Sequence, residues 1–581
     1  MKILLAAINA KYIHSNLAIY SLKAYAKAQN IELAEYTINQ QKDDILADIY
    51  KKRPDVLCFS CYIWNLDYIE ELVRNIGKLR ADLPIWLGGP EVSYDAEDVL
   101  IRLPEVTGVI KGEGEETFAG LCRIYQDGFR LHKGRDFLDT RFRALEGIAF
   151  RDQDGWIRDN PWRPVMDLNE VPFVYRHMED FRNKIIYYES SRGCPFSCSY
   201  CLSSVDKQLR FRDLNLVRKE IKFLIDREVP QVKFVDRTFN CRRDHAAAIW
   251  KYIAEQDRGI TNFHFEVAAD LLGEEELSIL EGMRPGLVQL EIGVQSTNPD
   301  TIREIRRTMD FEKVQSAVTR IRKRGNIHQH LDLIAGLPYE DIDSFARSFD
   351  DVYKLKPQQL QLGFLKVLKG SYMEEKKEEY GLVYKSRPPY EVLYTRWISY
   401  EDIIRLKGIE EMVEVYYNSG QFRYTLAAME EKYPSAFMLY DGLAGFYEER
   451  GYGQVQHKRS ARYEILLRYI IDRYPGEEER FRELLTYDYY LRENAKTRPE
   501  FAGEYKVSKE ALRAFYEDEE AQQRYLPAYA GYDRNQKRRM THLEYFSSLG
   551  EYVLFDYKER DAWNQDARTC LVFLAKVKQR V

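Results

Sequence analysis

Apolar residues along the chain come in short runs separated by longer amphipathic stretches. Residues 2–8, 55–60, 84–87 and 106–111 are apolar runs of strand length, and Leu17, Tyr20, Leu22 and Tyr25 follow the first at helical spacing. Strands alternating with helices predict a doubly wound, Rossmann-like α/β domain over residues 1–130, with ligands beyond the carboxyl ends of its strands. Two β-runs around Asp152-Gln153-Asp154-Gly155 predict a hairpin, and the stretch through Pro172-Phe173 an extended linker, together spanning residues 131–183. A second series of apolar runs follows at 185–189, 232–235, 263–268, 287–292, 331–335 and 360–365, spaced by charged helical segments such as 214–227 and 311–324. Six such units predict a partial (β/α)6 barrel over residues 184–370, with its chemistry at the C-terminal strand ends. From 371 to 581, Tyr, Glu and Arg at helical spacing predict a mostly α-helical domain.

At 581 residues the chain has room for three or four such units. A net charge of −6 argues against a broadly basic nucleic-acid surface and favours a small-molecule or peptide substrate. Eight cysteines, three of them clustered, do not form the dense even pattern of a secreted disulfide scaffold. The apolar N-terminal run is too short for a signal peptide or a membrane span, so a reducing, cytoplasmic setting is expected.

The clustered cysteines carry the chemistry. Cys194, Cys198 and Cys201 stand at Cys-x3-Cys-x2-Cys spacing in a loop at the end of the first barrel strand. Thiolates suit iron–sulfur clusters, and three ligands on a [4Fe–4S] cube leave one iron open to a substrate or cofactor. A zinc site lacking its fourth ligand and three unrelated buried thiols are the rival readings.

The spacing, with Tyr200 ahead of the last cysteine, resembles the signature of the radical S-adenosylmethionine (SAM) superfamily, in which SAM chelates the open iron. That resemblance implies reductive cleavage of SAM to methionine and a 5′-deoxyadenosyl radical, with an external one-electron reductant of flavodoxin or ferredoxin type as partner. The strand ends hold Asp236, Glu266, Gln295 and Asp332, and Arg307 lies twelve residues beyond Gln295. Gly293-Val294-Gln295-Ser296 and Asp332-Leu333-Ile334-Ala335-Gly336-Leu337-Pro338 are similar to the oxygen-independent coproporphyrinogen oxidase and related radical enzymes. By that resemblance Glu266, Gln295, Arg307 and Asp332 surround SAM, with Asp236 beside its methionine part. A ribose diol wants acceptors and a carboxylate wants a guanidinium, which agrees. His264, which shares a strand face with Glu266, is more simply read as a satisfied core histidine, and Cys241 as an ordinary loop cysteine.

The N-terminal strand ends read Ser60-Cys61-Tyr62-Ile63-Trp64-Asn65, Gly88-Gly89-Pro90-Glu91 and Gly112-Glu113-Gly114-Glu115. Placed ahead of the cysteine triplet, they resemble the cobalamin-binding domain of the B12-dependent branch of the superfamily. By position Ser60, Tyr62, Trp64, Gly88, Gly89, Glu91, Gly112 and Glu113 would line cobalamin. The Asp-x-His-x-x-Gly motif that ligates cobalt elsewhere is missing, and His14 lies in the right loop without that context. Cobalamin held without a protein imidazole is therefore expected. Cys58, Cys61 and Cys122 read as core residues rather than ligands of a second cluster.

The resemblance implies a B12-dependent radical SAM C-methyltransferase. A B12-dependent rearrangement or cyclisation without methyl transfer, a methylthiotransferase-like enzyme, and a non-catalytic cobalamin or redox sensor are the alternatives. In the C-terminal part, the tyrosines around 487–490 read as packing residues and Lys537-Arg538-Arg539 as a solvated face.

Overall fold

A computed structural model describes residues 1–27, 30–205, 207–561 and 564–573. The chain falls into two compact units, Met1–Phe345 with Gly363–Tyr400 and Ala346–Leu362 with Glu401–Val581. Each is treated separately.

The first unit opens with strands β1 (Ile3–Asn9), β2 (Ile31–Thr37), β3 (Val56–Ser60), β4 (Ile85–Gly88) and β5 (Gly108–Ile110), followed by β6 (Ile148–Arg151) and β7 (Ile157–Asp159). They form one seven-stranded sheet in the order β2-β1-β3-β4-β5-β6-β7. The pairings are parallel from β2 to β5 and antiparallel from β5 to β7. Every residue of β1 is buried, because both faces are covered. Leu4, Ala6 and Ile8 pack into one core with Ile45, Ile69 and Val99, while Ile3, Leu5 and Ala7 pack into the other with Phe118 and Phe142. Two features differ from the sequence reading. β2 escaped notice because, at the sheet edge, only Ile31, Ala34 and Tyr36 are buried and Glu32 and Glu35 break the apolar run. The 148–159 hairpin is no separate element; it extends the N-terminal sheet.

The chain leaves β1 for β2 on one side and returns to β3 on the other, so the topological switch point lies between β1 and β3. Open α/β sheets bind ligands in that crevice.

The second sheet of this unit consists of β8 (Ile186–Tyr188), β11 (Gln231–Phe234), β12 (Asn262–Val267), β13 (Val288–Gln295) and β14 (His328–Ala335), parallel and side by side in sequence order. The last two residues of a sixth strand, β15 (Gln359–Phe364), also fall in this unit. Between β8 and β11 the chain forms a two-residue hairpin of β9 (Ser191–Arg192) and β10 (Arg210–Phe211). Outward positions such as Val232, Phe263 and Leu290 are apolar and pack under helices, whereas Lys233, His264, Glu266 and Glu291 occupy the alternate face. A short antiparallel pair, β16 (Val383–Tyr384) and β17 (Val392–Tyr394), closes the unit.

The second unit is helical, with Ala436–Glu449, Arg459–Arg473, Glu478–Arg492 and Lys509–Gln522 its longest helices from residue 423 onward. It also holds an antiparallel sheet that the sequence reading lacked, β18 (Thr541–Phe546), β19 (Glu551–Arg560) and β20 (Ala567–Val572). Asp488, inside the tyrosine-rich stretch, is buried and accepts hydrogen bonds from Tyr424 N, Thr425 N and Thr425 Oγ1 at 2.7–3.1 Å. Lys537 corrects the solvated-face expectation: it is buried, and its Nζ donates to the Glu519 carbonyl at 2.6 Å.

Candidate functional site

The cysteine loop starts from a fixed base. Asp236, at the end of β11, accepts hydrogen bonds from Ser190 N (3.0 Å), Ser190 Oγ (2.6 Å) and Ser191 Oγ (2.5 Å). The carboxyl is buried and spent on tying two strand ends together, and burial, opposed by those serines, pushes its pKa up to about 6. The β9–β10 hairpin then closes the loop, pairing Arg192 with Arg210. Gly193 has φ +92°, and a Cβ there would sit 2.7 Å from the Gln208 carbonyl oxygen, so the turn into Cys194 needs glycine.

Cys194 and Cys198 are buried and Cys201 is partly exposed. Burial pushes the Cys194 thiol up, and the neighbouring Cys201 and Cys198 add to it, which places all three sulfurs within electrostatic reach. Cys194 Sγ lies 3.8 Å from Thr238 Oγ1. Cys241, three residues beyond Thr238, is pushed up to about 11 by burial and by Cys194.

Beside this loop stand the remaining polar strand-end residues. Strand register puts Glu266 opposite Glu291 and Gly293 opposite Asp332. At the slip that follows, Gln295 has φ +73°, rare for a residue with a side chain, and its buried Oε1 has no hydrogen-bond partner. Strain and an orphaned acceptor at one residue mark a ligand position. Burial pushes Glu266 up to about 7, against the pull of Arg237 and with help from Glu291 and Asp332.

On the neighbouring strand, Glu291 accepts from Lys233 Nζ at 3.1 Å, and His264 Nε2 lies 3.0 Å from its carboxylate. Although burial opposes it, His264 and Lys233 together bring Glu291 down to about 2. His330 Nε2 lies 3.0 Å from Asp332 Oδ1, yet burial still raises Asp332. The lumen thus holds one firmly ionised carboxylate beside two that resist ionisation.

The half-buried Arg307, expected at SAM's carboxylate, donates to the Gly293 carbonyl, to Tyr200 Oη at 3.3 Å and toward Cys198 Sγ at 3.8 Å. It therefore braces the fourth barrel strand against the cysteine loop, and only its Nε lacks a partner.

Between the switch-point loops of the first sheet and the barrel mouth lies a cavity of about 1000 Å³. Asn9, His14, Ser60, Tyr62, Trp64, Gly88, Gly89, Gly112 and Glu113 line it from the first sheet, and Glu189, Arg192, Gly193, Leu202 and Arg237 from the barrel. Asn65, which sequence reasoning passed over, shapes the wall. Fully buried, it donates to the Ile8 and Ser60 carbonyls and accepts from Tyr62 N at 2.8–3.0 Å. An Asn between a strand-end loop and a helix was the available signal. Tyr62 and Trp64 stack at 4.4 Å, and Trp64 Nε1 donates to Ile8 O. Gly89 has φ +118°, and a Cβ there would lie 2.4 Å from the Cys61 carbonyl oxygen.

Glu91 does not belong to this wall. It is buried away from the cavity, beside Tyr390 and 4.0 Å from Lys369 Nζ, which itself pairs with Asp95 at 2.6 Å. Glu113 lines the cavity, but its carboxylate is taken by Arg210 and by Met166 N. His14 Nδ1 lies 2.6 Å from Tyr187 Oη on β8, and burial lowers its pKa. Cys58, Cys61 and Cys122 are all buried in the sheet cores.

Comparison with known proteins matches residues 3–122 to the B12 binding domain and 188–352 to the Radical SAM superfamily. Residues 378–566 match a third family described as Protein of unknown function (DUF4080). An uncharacterized methyltransferase of Pyrococcus horikoshii, PH0819, is 24% identical over 53% of this chain and 68% of its own. The anaerobic magnesium-protoporphyrin IX monomethyl ester cyclase of Rubrivivax gelatinosus is 21% identical over 58% of this chain and 60% of its own. In fold, the chain resembles the radical SAM methyltransferase TsrM from Kitasatospora setae, solved with cobalamin and a [4Fe–4S] cluster bound (TM-score 0.53, 18% identity, 66% of this chain and 80% of that one). The cofactors these domains bring are a [4Fe–4S] cluster, SAM and cobalamin, and the residues present fit them. Three thiols share one loop, a strained glutamine offers an unmet acceptor, and a cavity of about 1000 Å³ opens at the switch point.

Proposed function

We propose that this chain, which joins a B12-binding domain to a radical SAM domain and so is a cobalamin-dependent radical SAM enzyme, transfers a methyl group to an unactivated carbon of a small-molecule or peptide substrate. Bound together, the three cofactors supply one-electron cleavage of SAM and a cobalt-borne methyl group. The observation that carries the reading is the shared cavity: the switch-point loops and the two flanks of the cysteine loop, Gly193 and Leu202, line one space. A group carried on the first sheet and a carbon activated at the barrel mouth can meet there without diffusing through water.

The chain's own residues have distinct parts. Cys194, Cys198 and Cys201 would hold three irons; Glu266, Gln295 and Asp332 would seat SAM; Ser60, Tyr62, Trp64, Gly88, Gly89 and Gly112 would cradle cobalamin. Arg307 and Asp236 hold the loop in place. An external one-electron reductant in a reducing, cytoplasmic setting completes the system. No helix among the described residues is long and apolar enough to cross a membrane. The cyclase relative supports a second reading, rearrangement or ring closure without net methyl transfer.

Incubation of reduced, reconstituted protein with methyl-labelled SAM and host extract separates the two. Label in a new product supports methyl transfer; 5′-deoxyadenosine with no label incorporated supports the second reading. Alanine at Cys194, Cys198 and Cys201 is expected to abolish SAM cleavage and most iron binding, and unchanged cleavage would sink both readings.

A further inference from the structure

The hairpin that closes the cysteine loop sets like charges against each other. Arg192 and Arg210 are direct cross-strand partners in a ladder only two residues long. Directly opposed like charges oppose strand pairing, so this hairpin needs anions to close. Arg192 Nη2 reaches Glu189 Oε2 at 2.8 Å and Glu115 Oε1 at 2.9 Å. Arg210 grips Glu113 with both terminal nitrogens, at 2.6 and 3.0 Å, and Arg192 Nη1 adds a 3.6 Å approach to the same carboxylate. Of the three acids, Glu189 is local; Glu113 and Glu115 come from the 112–115 loop of the B12-binding domain. All five side chains are at most 21% exposed, so solvent screens the pairs little.

The 112–115 loop has a second face. Gly112, Glu113, Gly114 and Glu115 all line the cavity assigned above to cobalamin. Gly112 N donates to Ser93 Oγ at 3.2 Å, and Ser93 Oγ donates to the Gly89 carbonyl at 2.8 Å, which joins this loop to the Gly88–Gly89 wall. One short segment therefore touches the cofactor space with its backbone and clasps the iron–sulfur hairpin with its carboxylates.

We infer that Glu113 and Glu115 are positioning residues that couple the two cofactor sites: cobalamin settling against the 112–115 loop fixes the hairpin and thereby strengthens SAM binding at the cluster. The inference rests on the cofactor placement proposed above. Coupling of this kind is reciprocal, so SAM tightens cobalamin by the same factor. A clasp of two arginines and three acids gives the effect a specific electrostatic origin rather than general packing.

The test uses the full chain with its cluster reconstituted. SAM is titrated while the electron paramagnetic resonance signal of the reduced cluster is followed, with and without hydroxocobalamin, and corrinoid uptake is read by absorbance. In the wild type, cobalamin is expected to lower the SAM dissociation constant on the order of tenfold. Glu113→Gln with Glu115→Gln, compared at saturating corrinoid as read by absorbance, is expected to lose that response. Reversing the pair, Arg210→Glu with Glu113→Arg, is expected to recover part of the response that either single change removes, which a purely structural role would not produce. Should the double Gln variant fail to fold, Arg210→Lys, which keeps the charge and loses the fork, is expected to give an intermediate response. The coupling is overturned by a wild type that takes up cobalamin with no change in SAM affinity, or by a double Gln variant that still responds. A wild type that takes up no corrinoid overturns the cofactor placement, and the coupling falls with it.

Discussion

Glu266 shows what a single buried carboxyl contributes. Folding raises its pKa from the ordinary 4.5 to about 7, chiefly through burial. Between those values the folded chain keeps a proton that the unfolded chain has released, so the stability Glu266 contributes is complete below about pH 4.5 and is lost as pH rises through 7. Glu266→Gln removes the titration. In SAM-free protein it is expected to be stabilising by up to about 3 kcal/mol at pH 8 and close to neutral near pH 5, as read by denaturant titration. Equal effects at the two pH values would refute the assignment. At this scale the sequence was informative where chemistry is local. Cys194, Cys198 and Cys201 are legible because their spacing within one loop is the signal. The protein partners of Asp236 and Arg307 were not legible, because Ser190 and Cys198 lie 46 and 109 residues away, and a polar residue at a strand end looks the same whether it faces a ligand or braces a neighbour.

Among elements, the loops after β1, β3, β4 and β5 were readable, since strand ends in an open α/β sheet are where ligands go. Which of their side chains face the ligand was less so. Glu91 is drawn away by Lys369 and Tyr390, and Glu113 is claimed by Arg210. Edge strand β2 was hidden because a half-buried strand shows no continuous apolar run. The loop after β4 carries its own test. With φ at +118° and the Cys61 carbonyl 2.4 Å from any added Cβ, Gly89→Ala is expected to destabilise the protein by about 1–3 kcal/mol and to lower corrinoid uptake. Thermal melting and absorbance of the reconstituted protein measure both. Gly134, which has nothing within 4 Å of an added Cβ and lies away from the cavity, is the control expected to tolerate alanine.

For the whole molecule, the order of an α/β domain, a barrel and a helical region was visible in the alternation of apolar runs. Side-chain traffic between domains was not, because periodicity carries no information on which distant carboxylate meets which arginine. The hairpin of β6 and β7 has one further consequence. It runs antiparallel along β5, and without it the three residues of β5 would present unpaired amides and carbonyls as an open edge. Open edges recruit other chains; the hairpin hands the edge on to β7, a three-residue strand with exposed Arg158 and Asp159, and a short charged edge discourages such pairing. The B12-binding match ends at residue 122, short of that hairpin. A fragment cut there also severs the Glu115–Arg130 helix and loses Tyr125, Phe142 and Ile148 from the core, and is expected to precipitate or form sheet-rich oligomers, whereas one carried through Arg163 is expected to stay monomeric in size-exclusion chromatography. The useful boundary for isolating the B12-binding domain is therefore set by completing its core and its edge and not by where sequence similarity fades.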